Sequence, residues 1–310
     1  MPLRDLRLTP EKYRRVTFVA VVLLGIIIVT GAAVRLSGSG LGCPDWPSCH
    51  TLERHGSLDG NAAIEFGNRL FTGLVGLAVM FCVLGSLRRE PRRRDLVRLS
   101  WGLVVGLFAQ GLLGGLLVLT ELPPQLVMGH FLLSMVLLTN AVVLHRRAGQ
   151  GDGPAQPVVH PMVRLAGHAV LLTAAVVVLA GTVVTATGPH GGDRRAERFD
   201  LDVRDVTKIH GGAVIAFVVT IFLAFVLLRR TKAPSDPQAR LGFLAGLVLV
   251  QAAIGYIQYF NDIPALLVGF HVAGATVVWI ASLSFWLCLT DRPAASHEAM
   301  KEPTAALADA

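Results

Sequence analysis

A carboxylate, an amide and a guanidinium stand together at the head of a long apolar run in this chain. Glu65, Asn68 and Arg69 are spaced i, i+3 and i+4, so on a helix they share one face. Glu65 can pair with Arg69 at the helix entrance. The same carboxylate can also act as a base or stabilise a developing positive charge. The spacing leaves both roles open.

Three histidines occupy positions that match Asn68. His130, His210 and His271 each lie about one turn into an apolar run; Asn68 and His130 are 62 residues apart, His210 and His271 61. Two facing histidines on neighbouring helices of a four-helix bundle can hold a haem iron from both sides. The alternative is that each histidine is a buried polar group that bonds across helices. Three matched positions favour the prosthetic group.

Eight apolar runs must position these side chains. The chain of 310 residues is 53% hydrophobic and 16% charged, whereas charged residues make up about a quarter of soluble domains. A spanning helix needs about 20 apolar residues. Eight runs reach that length: 16–34, 66–87, 100–119, 127–144, 165–185, 210–228, 241–260 and 266–289. No cleavage pattern follows the first run, so it is predicted to be a retained span rather than a signal peptide.

The basic residues predict the topology. With eight spans, 20 of the 28 lysines and arginines fall on one side of the membrane. Cytoplasmic loops carry such an excess, so both chain ends are predicted in the cytoplasm of a multi-pass cell-membrane protein. The net charge of +7 is then explained by topology signals and contacts with the lipid bilayer, and no nucleic-acid site is expected.

The chain repeats itself. Residues 110–130 and 251–271 both begin with Gln and end with His, and the motif GAAVRLSGSG (31–40) matches GTVVTATGPH (181–190). The repeat predicts an all-α integral membrane fold of eight transmembrane helices, in two four-helix bundles related by a pseudo-twofold axis along the membrane normal. The predicted parts are an N-terminal bundle (1–145), a cytoplasmic linker (146–164), a C-terminal bundle (165–291) and a cytoplasmic tail (292–310).

The first predicted extracytoplasmic loop, GLGCPDWPSCH, contains two cysteines. Cys43 and Cys49 would lie in an oxidising compartment, which permits a disulfide bond. Free thiols, or a metal site with the nearby His50 and His55, are the alternatives, although the spacing matches no common zinc pattern. The other two cysteines lie within spans and are interpreted as small apolar residues.

Several motifs together resemble the haem A synthases. They are TGAAVRLSGSGLGCPDWPSC (30–49), EFGNRL (65–70), TATGPHGGD (185–193), IHG (209–211) and the two Gln-to-His segments, which cover all eight spans. The resemblance implies a membrane oxidase that converts the C8 methyl group of haem O into the formyl group of haem A, for aa3-type terminal oxidases. It also implies haem O as substrate, with haem O synthase and cytochrome oxidase assembly factors as partners.

The resemblance also assigns functional residues. It implies haem b between His210 and His271 in the C-terminal half. It implies that the N-terminal half holds haem O or haem A, with His130 as ligand and Glu65 as a catalytic carboxylate. The loop cysteines of the family match Cys43 and Cys49.

One position departs from the family pattern. The motif E-x-x-H-R reads Glu65-Phe66-Gly67-Asn68-Arg69 here, so the second axial histidine of the N-terminal haem is missing. A single protein ligand leaves an open position for chemistry, whereas bis-histidine ligation suits electron transfer. We therefore expect a reaction chamber in the first half, bordered by Asn68 and Arg69, and an electron relay in the second.

Two points stay open in the sequence. Arg69, Arg35 and Lys208 lie at the same predicted interface, and each could pair with a haem propionate. A non-enzymatic dihaem cytochrome that passes electrons from quinone is the alternative function, because it needs the histidines but not Glu65.

Overall fold

The fold consists of long apolar helices. The computed structural model describes residues 7–43, 45–49 and 60–294. The helices in these ranges are α1 Pro10–Leu36, α2 Gly60–Arg88, α3 Arg94–Leu119, α4 Pro124–Ala148, α5 Pro161–Thr187, α6 Val203–Arg230, α7 Ser235–Phe260 and α8 Ala265–Cys288. All eight are long and apolar enough to cross a membrane. The predicted class, an all-α membrane protein with eight spans, is confirmed.

Local sequence sets several helix ends. Thr9 caps α1 by accepting a hydrogen bond from the Lys12 N–H, and Asp202 caps α6 in the same way. Such caps satisfy backbone donors that have no partner within the helix. Proline occupies the first turn of α1, α4 and α5, where its missing N–H costs nothing.

The α3–α4 and α7–α8 turns share one backbone conformation. Glu121 and Leu122 have φ angles of 61° and 62°, and Asp262 and Ile263 have 57° and 55°. In each turn the second residue donates its N–H to the carbonyl five residues earlier, at 2.9 and 2.8 Å. Left-handed conformations are uncommon for residues other than glycine. Two such pairs at the same place show that the repeat extends from the sequence to the backbone.

Each half forms a closed ring of four helices. In the N-terminal half, α1 packs on α2 and α4, and α3 completes the ring; α5 to α8 pack in the same order. Helices α2 and α4 therefore lie diagonally across one bundle, and α6 and α8 across the other. Between the halves, α8 packs on α1 and α4, and α4 also packs on α5. A twofold axis between α4 and α8 would give this pattern, and the axis itself stays a prediction.

Apolar side chains fill both bundles and also cover their outside. The N-terminal core includes Tyr13 and Leu138, and the C-terminal core includes Phe217 and Phe285. Many large apolar side chains remain exposed, among them Phe108 at 71%. Extensive apolar surface of this kind marks contact with a membrane, which agrees with eight spans.

The segment between the halves is joined to the segment after α8. Gln156–Pro157 (β1) pairs antiparallel with Thr290–Asp291 (β2). Arg93 is only 6% exposed and donates to the carbonyl oxygens of Arg147 and Gln150. These contacts hold the linker against both bundles, while the predicted domain boundaries stay predictions.

Candidate functional site

Two imidazole rings meet across the C-terminal bundle. His210 from α6 and His271 from α8 have ring centroids 6.4 Å apart and ring planes at 72°. The prediction that the two histidines lie on neighbouring helices is wrong, because α6 and α8 lie diagonally across the ring of helices. Side chains from opposite corners of a bundle meet near its axis, which explains how two rings at similar depth can face each other.

The separation of these rings suits a metal ion between them. Imidazole nitrogens bind first-row metals at about 2 Å, so one shared metal ion would place the ring centroids about 6 Å apart. Within the described residues, no group of three or more His, Cys, Asp or Glu side chains could hold a metal ion. A haem iron needs two ligands from the protein, because the macrocycle supplies the other four nitrogens. Two histidines without a third ligand meet this need. The pair therefore fits a haem.

A glycine on the preceding helix makes room for each histidine ring. A Cβ built on these glycines would lie 3.2 to 3.5 Å from the ring Cε1. A larger residue would press on the ring, so glycine permits the close packing of ring against helix. The three pairs are Gly114 with His130, Gly181 with His210, and Gly255 with His271.

Two glutamines fix the backbone that carries two of the histidines. The Gln251 Nε2 donates to the His271 carbonyl oxygen at 2.8 Å, and the Gln110 Nε2 donates to the His130 carbonyl oxygen at 3.2 Å. Each bond joins the last two helices of one half. The sequence repeat contained both glutamines, but spacing alone gave them no role.

The N-terminal half has the same arrangement with one imidazole replaced. His130 on α4 and Asn68 on α2 take the diagonal positions. The Nδ1 of His130 and the Oδ1 of Asn68 are both buried, and neither has a hydrogen-bond partner within the described residues. This half thus offers one histidine and one amide to a bound group.

Glu65 and Arg69 anchor the first loop to α2. The Arg69 Nη2 lies 2.6 Å from the Glu65 Oε1, so the i,i+4 ion pair expected from the spacing is present. The Cys43 N–H donates to the other Glu65 oxygen at 2.8 Å. Arg69 also donates to the carbonyl oxygens of Cys43, Asp45 and Ser48 at 2.8 to 3.0 Å. Glu65 is only 6% exposed, and its catalytic role stays a prediction beside this structural one.

The same loop is closed by a disulfide bond. Cys43 and Cys49 are bonded, with their Cα atoms 5.1 Å apart, so the predicted disulfide is confirmed over free thiols or a metal site at these cysteines. His50 and His55 lie outside the described residues. Cys82 and Cys288 are buried free thiols, as the sequence predicts for small apolar positions.

Trp46 joins this loop to the neighbouring helix. A Cβ built on Gly115 of α3 would lie 2.6 Å from the Trp46 Cδ2, so only glycine leaves room for the indole. Gly115 follows Gly114, the glycine beside His130. The loop therefore spans from α2 to α3 over the end of the bundle that carries Asn68 and His130.

Thiol labelling provides a direct test of the disulfide. Denatured, unreduced protein from oxidising growth should label at Cys82 and Cys288 alone, because Cys43 and Cys49 have no free thiol. Reduction should add these two sites. A Cys49→Ser variant should expose Cys43 without reduction, and it serves as the control for access of the reagent. Full labelling of all four cysteines before reduction would contradict the bond.

Arginine side chains line the junction between the halves near the end of α1. The Arg35 Nη1 at the end of α1 donates to the Thr185 carbonyl oxygen at 3.3 Å, and Thr185 is the counterpart of Arg35 in the repeat. Arg198 donates to the neighbouring Gly188 carbonyl oxygen. Of the three predicted propionate partners, Arg69 is bound to Glu65 and Lys208 to Asp205. Arg35 forms no ion pair with another described residue, so it is the best placed of the three.

The long loop between α5 and α6 ties the halves together. The Gly40 N–H donates to the Gly192 carbonyl oxygen at 2.9 Å, and the His190 Nε2 bonds to the Ile263 carbonyl oxygen at 2.8 Å. The Arg195 N–H donates to Asp193 and holds the pKa of that carboxyl below its ordinary value. His190 therefore holds this loop against the turn between α7 and α8.

The histidines on the other side of the molecule also serve local structure. His145 bonds to the Thr17 hydroxyl at 3.1 Å, His168 to the Arg164 carbonyl of its own helix, and His160 caps α5. None of these three shares the glycine contact of the repeat histidines.

Comparison with known proteins decides the family. The model of the COX15-CtaA family, described as cytochrome oxidase assembly protein, matches residues 14–57 and 57–189. The chain belongs to this family. The matched region includes Glu65, Asn68, Arg69 and His130, and ends before His210 and His271.

Relatives with curated names extend the match. A protein named Heme A synthase from Shewanella oneidensis is 27% identical over 308 residues, which cover 85% of this chain and 92% of the relative. The Heme A synthase of Exiguobacterium sibiricum is 26% identical and covers 66% of this chain and 71% of its own length. That of Symbiobacterium thermophilum is 34% identical over 44% of each chain. The first of these comparisons spans most of both halves.

Proposed function

We propose that this protein is a haem A synthase, a membrane oxidoreductase that oxidises the C8 methyl group of haem O to the formyl group of haem A. Membership of the cytochrome oxidase assembly family and the names of its relatives support this function. The observation that carries it is that each bundle has two polar side chains on diagonal helices. One bundle has two histidines, and the other has a histidine and an amide.

The C-terminal site is the electron relay. His210 and His271 would hold haem b, and a haem held by two histidines exchanges single electrons between its ferric and ferrous states. Gly181 and Gly255 set the position of the rings, and Gln251 fixes the backbone of His271. These contacts hold both ligands before and after each electron transfer, so little reorganisation is needed.

The N-terminal site holds the substrate. His130 binds haem O from one side, and Gln110 fixes its backbone as Gln251 does for His271. The disulfide loop, with Trp46 against Gly115, closes the chamber from outside and limits access of water. In each of two successive hydroxylations a water oxygen would be added to the methyl carbon while two electrons and two protons leave, and the electrons would pass through the C-terminal haem to an external electron acceptor. The carboxylate of Glu65 would stabilise positive charge that develops at the methyl carbon or take a proton from the attacking water.

The charges support the proposed orientation. The excess of basic residues on one side favours both chain ends in the cytoplasm, and in that orientation the disulfide loop and both haem sites lie near the extracytoplasmic surface of the cell membrane. Haem O would reach the N-terminal bundle from haem O synthase, and haem A would pass to assembly factors of the terminal oxidase.

Haem extraction tests the activity. The protein is expressed with haem O synthase in cells that make no haem A of their own. The haems are then extracted, separated and identified by mass spectrometry. We expect haem A from the wild-type chain. His130→Ala should abolish it, because the substrate haem loses its histidine ligand.

The same experiment separates the two candidate functions. A dihaem cytochrome would carry its haems but leave the haem O methyl group intact. Wild-type protein that retains haem O without any haem A would therefore contradict the synthase function. His168→Ala is the matched control, because this histidine hydrogen-bonds within its own helix and packs on Trp286 near the far end of α8 from His271, and the change should not alter the yield.

A further inference from the structure

We propose that Gly31 and Asn68 border an open space on the face of the substrate haem opposite His130, and that this space admits a small uncharged ligand of the dioxygen or water class to the iron. The inference rests on the proposed function, because it needs haem in the N-terminal half. It goes beyond that function by naming the side of entry and the two residues that keep it open.

Gly31 is the first observation. In the repeat, Gly31 of α1 matches Gly181 of α5, and a Cβ on Gly181 would lie 3.2 Å from the ring of His210. A Cβ on Gly31 would meet no atom within 4 Å. The position that faces a ligand ring in the second half thus faces free space in the first.

Asn68 is the second observation. It stands at the position of His210, but its side chain is shorter than a histidine and ends in an amide. Its Oδ1 is buried and has no hydrogen-bond partner within the described residues. Buried polar atoms are usually hydrogen-bonded, and an exception calls for an explanation such as a bound small molecule.

The free space beside Gly31 and the unpaired amide oxygen of Asn68 have one explanation. Replacing a ring by a short amide removes the atoms that would fill the space beside Gly31. An amide cannot close the coordination of iron as an imidazole does, but it can donate to or accept from a small molecule beside the iron. The remaining space suits a ligand of a few atoms better than a side chain.

The C-terminal half shows the closed alternative. There His210 fills the space beside Gly181, and its ring faces that of His271. A haem held from both sides has no free position, so it should not react with external ligands. The haem of the C-terminal half therefore serves as an internal control for the haem of the N-terminal half.

Carbon monoxide is the probe. The full-length protein is purified with both haems, reduced, and exposed to carbon monoxide, and the optical spectrum is recorded. We expect the haem of the N-terminal half to shift and the haem held by His210 and His271 to stay unchanged. Haem content and type are measured on the same sample by extraction.

Two substitutions should close the space in different ways. Asn68→His restores the second imidazole and should lower the carbon monoxide-reactive fraction by about tenfold or more, because a bound side chain must leave before the gas can bind. Gly31→Leu should lower the rate of carbon monoxide binding by filling the free volume. Gly25→Leu is the matched control, since Gly25 also meets no atom within 4 Å but lies on a different face of α1.

Each outcome bears on the proposal. Wild-type protein that makes haem A but never reacts with carbon monoxide would overturn the open space and leave the synthase function intact. Absence of any haem in the N-terminal half would overturn both. Equal effects of Gly31→Leu and Gly25→Leu, at equal haem content, would show that Gly31 does not border the space.

Discussion

Alanine at both His210 and His271 should abolish the low-spin haem spectrum of the C-terminal half. The two rings are 6.4 Å apart across the bundle, and the described residues contain no third candidate ligand beside them. Loss of both iron bonds removes the two contacts that hold the iron in place. Each single variant should lose most of its haem b, measured by pyridine haemochrome content and by the reduced-minus-oxidised spectrum of the purified protein.

A conservative variant separates ligation from folding. His271→Met keeps a side chain that can bind iron and should retain haem with a changed spectrum and a raised reduction potential. His168→Ala should retain the wild-type spectrum, because it leaves both ligands in place. A normal bis-histidine spectrum in the double alanine variant would show that His210 and His271 are not the ligands.

Much of the fold follows from apolar run length and from the repeat. Backbone polar groups must be satisfied internally in hydrocarbon, so an apolar run of about 20 residues has few alternatives to a helix. The matching positions of Pro123 and Pro264 in the repeat likewise led to two turns with the same left-handed residues. The spans depend on local sequence, which is why they could be predicted, whereas the left-handed residues of the turns were seen only in the structure.

The features that sequence did not predict depend on contacts between distant segments. The repeat placed His210 and His271 at matching depth, but only the order of helices in the ring puts them on diagonal corners. Gly181 and Gly255 look like ordinary small residues in a span, and their contact with the rings needs the packing of adjacent helices.

Arg69 also shows which contacts can be predicted from the sequence and which cannot. Its pairing with Glu65 follows from helical spacing, whereas its bonds to the carbonyl oxygens of Asp45 and Ser48 join segments more than 20 residues apart. Helical spacing therefore predicts the pair but not the loop that the pair holds. Because Arg69 also binds the loop, a substitution at Glu65 would disturb the loop as well as any chemistry of the carboxylate.

Glu65→Gln should bind haem O and load haem b, yet make at least about tenfold less haem A, because an amide neither carries the charge nor takes up the proton of a carboxylate. The expected product is unconverted or partly hydroxylated haem O, identified by mass in haem extracts. Wild-type yield would remove Glu65 from the mechanism and leave it as the partner of Arg69.

Arg69→Gln is the variant that distinguishes chemistry from anchoring. Removing one partner of a buried ion pair commonly costs about 3–5 kcal/mol, so both variants should loosen the loop that Glu65 and Arg69 hold. The loosening is measured as faster reduction of the Cys43–Cys49 bond by a membrane-impermeant reductant. Arg69→Gln keeps the carboxylate and should retain more haem A synthesis than Glu65→Gln at a similar reduction rate. If haem A yield instead falls equally in both variants, in step with the reduction rate, Glu65 acts by holding the loop closed and not on the substrate.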